Sequence, residues 1–390
     1  MRERVGREVV IVEAARTPIG RGKRETGYYT DVHPNELLGA SYGALIERAG
    51  IEPELVENVI AGCVTQVGEQ SQNIARNAWL QAGLPVTTPA STLDMQCGSA
   101  QQAVNLAATQ IAAGVHDVVI GGGVEHMGRV PMGSNASHPQ ETGVPFPPEL
   151  TDRYQLIPQG LSAELIAERW EIARSELDEF GVRSQRLAAR ATDEGRFERE
   201  IVPMRVNGST YVSDQGIRAD TNLETLAKLK PAFKPDGRIT AATSSQISDG
   251  AAAVLLMSAQ KADELGLEAR ARIVDQVTAG VDPVIMLTGP IPATRMILER
   301  NCLALSDIDL VEINEAFASV VLAWRRELRP DMDRVNVNGG ALALGHPLGS
   351  SGARLITTLL HELERSDTEL GLVTMCTAGG MGPATLIQRV

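Results

Sequence analysis

The chain has 390 residues, a hydrophobic fraction of 43% and a formal net charge of -13 at pH 7. That length supports more than one domain with large buried cores, and the acidic balance argues against nucleic acid as a partner. No run of 18 apolar residues occurs, the first residues lack the apolar centre of a secretory leader, and four widely spaced cysteines make neither a disulfide framework nor a zinc pattern, so a soluble protein of the reducing cytoplasm is predicted.

The apolar run at 9–12 predicts a buried strand. Residues 35–49 carry helical spacing (Leu37, Leu38, Tyr42, Leu45, Ile46) and stop at Gly50. A strand at 59–64, a helix at 73–82, a strand at 91–95, an alanine-rich helix at 99–113 and a strand at 117–120 ending in Gly121-Gly122-Gly123 follow. Strands alternating with helices imply parallel sheet units. Residues 124–250 break the rhythm with several prolines, a charged helix over about 162–194 and a polar tract, and read as an insertion of loops and helices. The rhythm returns with strands at 250–256, 271–274, 308–313 and 372–375. Three features recur at an offset of about 250 residues: the strand at 59 in the one at 310, the Cys97 turn in the His346 turn, and the strand at 117 in the one at 370. A fixed internal offset predicts a duplicated domain. The expected division is 1–123 with 251–275 as the N-terminal half, 124–250 as the insertion, and 276–390 as the C-terminal half.

Four short turns carry chemistry. Cys97, in Asp94-Met95-Gln96-Cys97-Gly98-Ser99, stands between a strand and a helix, where free N–H groups favour a thiolate, and a pKa near or below neutrality is expected. His346, in Gly345-His346-Pro347, is held in a rigid turn and suits a general base that can also donate to an oxyanion. Pro347 is expected at the first position of the following helix. Cys376 opens Thr377-Ala378-Gly379-Gly380, whose N–H groups can cradle negative charge while the thiol moves a proton. Asn314, in Asn314-Glu315-Ala316-Phe317, either caps a helix or holds a water for an oxyanion hole. Neither a complete GxGxxG, a Walker A nor an HExxH is present.

The ordered set Cys-Gly-Ser, Asn-Glu-Ala-Phe, Gly-His-Pro and Cys-x-x-Gly-Gly resembles the thiolase family over essentially the whole chain. The resemblance implies an α/β thiolase fold, with two duplicated α/β halves in a five-layer αβαβα arrangement plus an inserted loop domain that binds coenzyme A. It implies that Cys97 takes the acyl group, that His346 activates it and, with a water on Asn314, binds the thioester oxygen, and that Cys376 is the acid/base at the α-carbon. The backbone N–H groups of Cys97 and Ala378 become a second oxyanion hole, with Ala378 where the family usually has glycine. Arg218, Phe233, Ala241, Ser245 and Met286 match coenzyme A positions, and Lys228, Lys230 and Lys234 can add positive charge for its phosphates. Coenzyme A and acyl-CoA are then substrates, and no metal or bound cofactor is implied. A homodimer or homotetramer is expected.

Pro158-Gln159-Gly160 departs from the His-Met-Gly usual in short-chain biosynthetic thiolases, which favours a different acyl pocket. The stretches 243–250 and 311–322 resemble actinobacterial degradative thiolases, some of which act on steroid-derived esters. The resulting expectation is thiolysis of a 3-oxoacyl-CoA. Acetoacetyl-CoA synthesis, a ketoacyl synthase and a non-catalytic CoA- or lipid-binding relative are the alternatives.

Overall fold

The computed structural model describes residues 6–390. In chain order the strands are β1 (Val9–Arg16), β2 (Gly20–Arg21), β3 (Asn58–Gly62), β4 (Ala90–Leu93), β5 (Val118–His126), β6 (Met204–Val206), β7 (Ser209–Tyr211), β8 (Ser248–Ser258), β9 (Ala271–Gly280), β10 (Leu310–Ile313), β11 (Leu370–Thr374) and β12 (Met381–Arg389). The helices are α1 (Pro34–Ala49), α2 (Ile74–Gln81), α3 (Ser99–Ala112), α4 (Pro139–Thr142), α5 (Pro148–Arg153), α6 (Gln159–Arg169), α7 (Arg174–Asp193), α8 (Leu223–Ala227), α9 (Ala259–Leu265), α10 (Pro290–Asn301), α11 (Ala318–Leu328), α12 (Ala341–Leu344) and α13 (Ser351–Ser366).

The duplication is visible in strand order and direction. One half runs β4-β3-β5-β8-β1, with β3 parallel to β4 and β5, and with β8 antiparallel to both β5 and β1. The other runs β10-β11-β12-β9 with the same sequence of parallel, antiparallel and antiparallel steps. The place of β4 is taken there by a single parallel bridge, Val311 to Val335. The halves meet where β1 and β9 pair through Val10–Arg272 and Ile11–Ala271.

Side-chain alternation sorts the strands into separate cores. On β1, Val10 and Val12 join an outer core with α1 and α2, while Val9 and Ile11 face a central core with α3 and α13. On β8, Leu255 and Met257 face outward and Val254 and Leu256 inward. A third core covers the second half with α10, α11, α6 and α7. Two outer helical layers, two layers of strands and a shared helical layer between them make the five layers expected from the resemblance.

Several expectations change. β9 pairs with β12 along its length and touches β1 only at its first two residues. β5 continues to His126 and β8 starts at Ser248, so strand extends past the expected glycine stop at one end and before residue 250 at the other. The charged helix is two helices, broken where Glu171 takes φ +51. Pro347 does not start a helix; α13 begins at Ser351, and the Pro347 carbonyl accepts the N–H groups of Ser350 and Ser351, both at 3.1 Å.

The glycine run does not end its strand, because its job is spatial. A Cβ on Gly121 would strike the α3 backbone at Val104, and one on Gly123 would land on the Gly349 carbonyl oxygen in the His346 loop. Gly123→Ala should therefore force two backbones apart, at about 1–3 kcal/mol for an overpacked site. A lower urea midpoint is expected, and an unchanged midpoint would show that the loop yields freely.

Candidate active site

β4 feeds α3 through a tight turn. Gln96 adopts φ +52, its N–H donates to Asp94 Oδ1 at 2.6 Å, and its carbonyl accepts the Ser99 hydroxyl at 2.6 Å. The Ser99 oxygen in turn accepts the Met95 N–H at 2.9 Å. This bracing sets Cys97 just before the N-terminus of α3, 3% exposed, with Gly98 at the cap position. A Cβ on Gly98 would meet the side chains of Met95 and Thr377, so the turn lies directly against the loop after β11.

That loop is equally constrained. The Thr377 N–H donates to Met381 O at 3.0 Å, the Val281 N–H donates to Gly380 O at 2.7 Å, and Gly379 and Gly380 both hold φ +80. A side chain on Gly380 would meet the Val281 carbonyl. Cys376 is fully buried, and the Ala378 side chain packs against the apolar core that contains it. The methyl group that replaces the usual glycine hydrogen is thus accommodated.

Burial pushes the Cys97 thiol up to about 11, against the opposing pull of the Ala378 N–H, the Gln159 side chain and its own N–H, while Glu125 adds to the rise. The acidic thiol expected from helix placement is not found, because desolvation outweighs the hydrogen bonds. Burial raises Cys376 too, and Cys97 raises it further, which marks the two sulfurs as electrostatic neighbours.

His346 sits in a loop made possible by Gly345 at φ +109, where a Cβ would strike Ser248. The His346 N–H donates to the Ser248 hydroxyl at 3.2 Å. Its ring is buried between Asn314, whose Nδ2 lies 3.3 Å from Nε2, and Ser351, whose Oγ lies 2.6 Å from Nδ1. Burial first, then the charge of Arg354, pushes the imidazole down to about 3. Asn314 Oδ1 is buried with no hydrogen-bond partner. The cap reading of Asn314 fails: Phe317 occupies the cap position of α11, and the Asn314 amide is spent on His346.

The two turns come together because α3 and α13 share the central layer. A Cβ on Gly352 would strike the backbone of Gln101, and Cys97, Leu348 and Met375 belong to one buried cluster. Glu125 fastens the arrangement. Its Oε2 accepts the N–H groups of Val64 and Gly349, both at 2.9 Å, and its Oε1 accepts Thr65 N–H at 3.0 Å and Gln70 Nε2 at 2.8 Å. Glu315 acts similarly, accepting from Ser184 Oγ at 2.5 Å, Asn336 Nδ2 at 2.9 Å and Leu342 N–H at 3.3 Å. Sequence reading passed over Glu125, Glu315 and Ser351, and treated Gln159 only as a departure from a pattern.

The expected coenzyme A positions divide. Phe233, 40% exposed, packs edge-on against Phe317 with ring centroids 5.8 Å apart. The Ser245 N–H donates to Ala316 O at 2.9 Å, and Met286 lies in the apolar cluster of Phe317 and Cys376. These three gather around 314–317. Gly160 is pressed so tightly on the Phe233 ring that a Cβ would overlap it, which brings the start of α6 to the same place. Arg218 and Ala241 are exposed, and the Arg218 N–H donates to Gln185 Oε1 at 2.7 Å. Lys228 pairs with Glu224 and Lys234 with Glu168.

Comparison with known proteins agrees with this geometry. The thiolase N-terminal domain matches residues 9–260 and the thiolase C-terminal domain residues 267–389. A steroid 3-ketoacyl-CoA thiolase, FadA6 of Mycobacterium tuberculosis, is 44% identical, with 98% of this chain and 94% of that protein aligned. A 3-ketoacyl-CoA thiolase of Psychrobacter cryohalolentis is 45% identical, with 98% of each aligned. The crystal structure of the Bacillus anthracis acetyl-CoA acetyltransferase superposes over 100% of both chains, with a TM-score of 0.90 and 40% identity. The chain belongs to the thiolase family and is an acyltransferase.

The electrostatics carry a test. With the thiol at about 11 and the imidazole at about 3, the pair is neutral at pH 7. The thiolate fraction then rises about tenfold per pH unit below the thiol pKa. In a Cys376→Ser background, alkylation of Cys97 by iodoacetamide should climb steadily from pH 7 to 10. A plateau already reached at pH 8 would contradict the neutral pair.

Proposed function

We propose that the protein thiolyses a 3-oxoacyl-CoA by ping-pong chemistry through an acyl group on Cys97. His346 takes the thiol proton as Cys97 attacks the 3-oxo carbon. The C2–C3 bond breaks, its electron pair passes to the departing acetyl-CoA carbanion, and Cys376 delivers the proton to that carbon. Free coenzyme A gives its thiol proton to the Cys376 thiolate as it attacks the Cys97 thioester, and His346 returns its proton to the Cys97 sulfur as the shortened acyl-CoA leaves, so all three groups regain their resting state. The same steps reversed join two acetyl-CoA molecules.

One observation carries this reading: the Cys97 turn lies directly against the Thr377 loop, and there the N–H groups of Cys97 and Ala378 pull the Cys97 thiol down while Cys97 raises Cys376. Donors aimed at one point from two loops suit the oxygen of a tetrahedral intermediate, where losing one costs about 10²–10³ in kcat. The unpartnered Asn314 Oδ1 is consistent with a water that, together with His346, binds the thioester oxygen at the second carbonyl. Phe233, Ser245 and Met286 are proposed to line the pantetheine path, with Ala241 beside it and Arg218 at the adenine end.

The degradative direction is favoured by Gln159, whose amide acts on Cys97 from the position where short-chain biosynthetic thiolases usually have methionine. A steroid-derived acyl group is the narrower reading, supported by the likeness to the mycobacterial steroid thiolase. Acetoacetyl-CoA synthesis remains the second reading, supported by the Bacillus anthracis structure. A homodimer or homotetramer in the cytoplasm is proposed. No helix among the described residues is long and apolar enough to cross a membrane. The halves are proposed to divide between 261 and 270, with the insertion at 127–247.

Separate cysteine variants test the roles. Cys97→Ser should form no acyl-enzyme. Cys376→Ser should still be acylated by acetyl-CoA but lose about 10²–10⁴ in carbon–carbon cleavage, the usual worth of a positioned acid or base. Full turnover by Cys376→Ser in both directions would remove that thiol from the reaction. Comparing kcat/KM on acetoacetyl-CoA, a long-chain 3-oxoacyl-CoA and a steroid 3-oxoacyl-CoA tests the substrate reading. A preference for acetoacetyl-CoA would favour the biosynthetic alternative.

A further inference from the structure

The Ser351 hydroxyl lies 2.6 Å from His346 Nδ1 and 2.8 Å from the Pro347 carbonyl oxygen, and both side chains are buried. A hydroxyl has one proton to give, and a carbonyl oxygen can only accept. With that proton on Pro347 O, the Ser351 oxygen presents a lone pair to Nδ1, which must then carry the ring hydrogen. The opposite edge of the ring leads independently to the same state. Asn314 turns its Nδ2 to Nε2 at 3.3 Å, and an amide nitrogen only donates, so Nε2 must hold a lone pair.

We infer that Ser351 is a positioning residue for His346, fixing its Nδ1–H tautomer so that the ring's one lone pair lies on Nε2, where it accepts from the Asn314 amide at rest and takes a proton when that contact is exchanged. The inference rests on the roles proposed above for Cys97 and His346. It assigns the orienting task to a neutral group. A carboxylate beside Nδ1 would stabilise the imidazolium and hold the proton there. A hydroxyl fixes the ring equally well but leaves it weakly basic, so a proton taken from Cys97 returns readily to that sulfur when the acyl group leaves it. The backbone supports the arrangement. Ser351 is the first residue of α13, and the Pro347 carbonyl that takes its proton also accepts two N–H groups at the head of that helix, so ring, hydroxyl and helix start form one unit.

Nitrogen NMR of histidine-labelled protein tests this without any turnover. The His346 signals are identified by their loss in His346→Asn. The resting enzyme should show a protonated-type Nδ1 and an unprotonated-type Nε2. The opposite pattern would overturn the inference even if the active-site roles stand. Ser351→Ala should shift the ring toward a tautomer mixture and slow acylation of Cys97 about 10- to 100-fold, as loss of outer partners of functional histidines commonly does, with KM little changed. Ser351→Thr, which keeps the hydroxyl, should restore both the tautomer and the rate. Wild-type acylation and an unmixed tautomer in a folded Ser351→Ala would also overturn it. If His346→Asn acylates normally, the proposed role of the base has failed, a result distinct from any of these.

Discussion

Where β5 passes the His346 loop, no side chain separates the two backbones. Gly123 and Gly349 face each other, and a Cβ on either one would enter the other strand's carbonyl space. Glu125, two residues further on, then reaches back and accepts the Gly349 N–H at 2.9 Å while holding three further donors from 64–70. This backbone contact and its carboxylate clamp fix the second half against the first at the level of the reacting groups. With α3 and α13 touching at Gln101 and Gly352, the Cys97 and His346 turns have no freedom to drift apart. Proximity of this kind contributes a large share of rate enhancement when the geometry is held tightly.

The price of such packing is desolvation. Cys97, Cys376 and His346 are all driven toward their neutral forms. Nearby, Arg16 is buried with Asp214 at 2.7 Å and Glu200 at 2.6 Å, while Arg354 lies 3.2 Å from Glu312, whose carboxyl burial pushes up to about 8, toward the neutral form. The resting site is therefore poised without being ionised. A thiol of about 11 and an imidazole of about 3 exchange no proton alone; in the proposed reaction the N–H groups of Cys97 and Ala378 stabilise the product of attack while the proton moves. The proposed mechanism follows from this balance, since N–H groups from two loops converge on one sulfur.

Much of the site was legible because each chemical residue sits in a turn of glycines and small residues, a composition that fixes local geometry whatever packs around it. Cys97, His346 and Cys376 stood out in this way, whereas Asn314, in Ile313-Asn314-Glu315-Ala316-Phe317, offered only a cap or a place for a water. The β-strand and helix order of the first half was legible for the same reason: apolar runs end at Gly50, Gly114 and similar stops. What depends on distant partners was not. Glu125 reads as an ordinary acid after a glycine run, and only a loop 224 positions away makes it a clamp. The acidity expected of Cys97 failed because a sequence shows helix placement but not depth of burial. β12 was not among the expected strands; Gly382 and Pro383 stand near its start, where glycine and proline weaken a strand signal, yet Pro383 still serves the sheet by accepting the Thr374 hydroxyl at 2.9 Å. Asn314 looked like a cap because helix starts favour asparagine, whereas α11 begins four residues later.

The central claim is that a single sulfur, that of Cys97, carries the acyl group between the two halves of the reaction. Rapid acid quench of the wild-type enzyme with acetyl-CoA, followed by peptide mass mapping, tests it most directly. One acetyl group on the peptide containing Cys97 is predicted, removed when free coenzyme A is added before the quench. An acetyl group found instead on Cys63, Cys302 or Cys376, or an adduct on Cys97 that coenzyme A does not discharge, would contradict it.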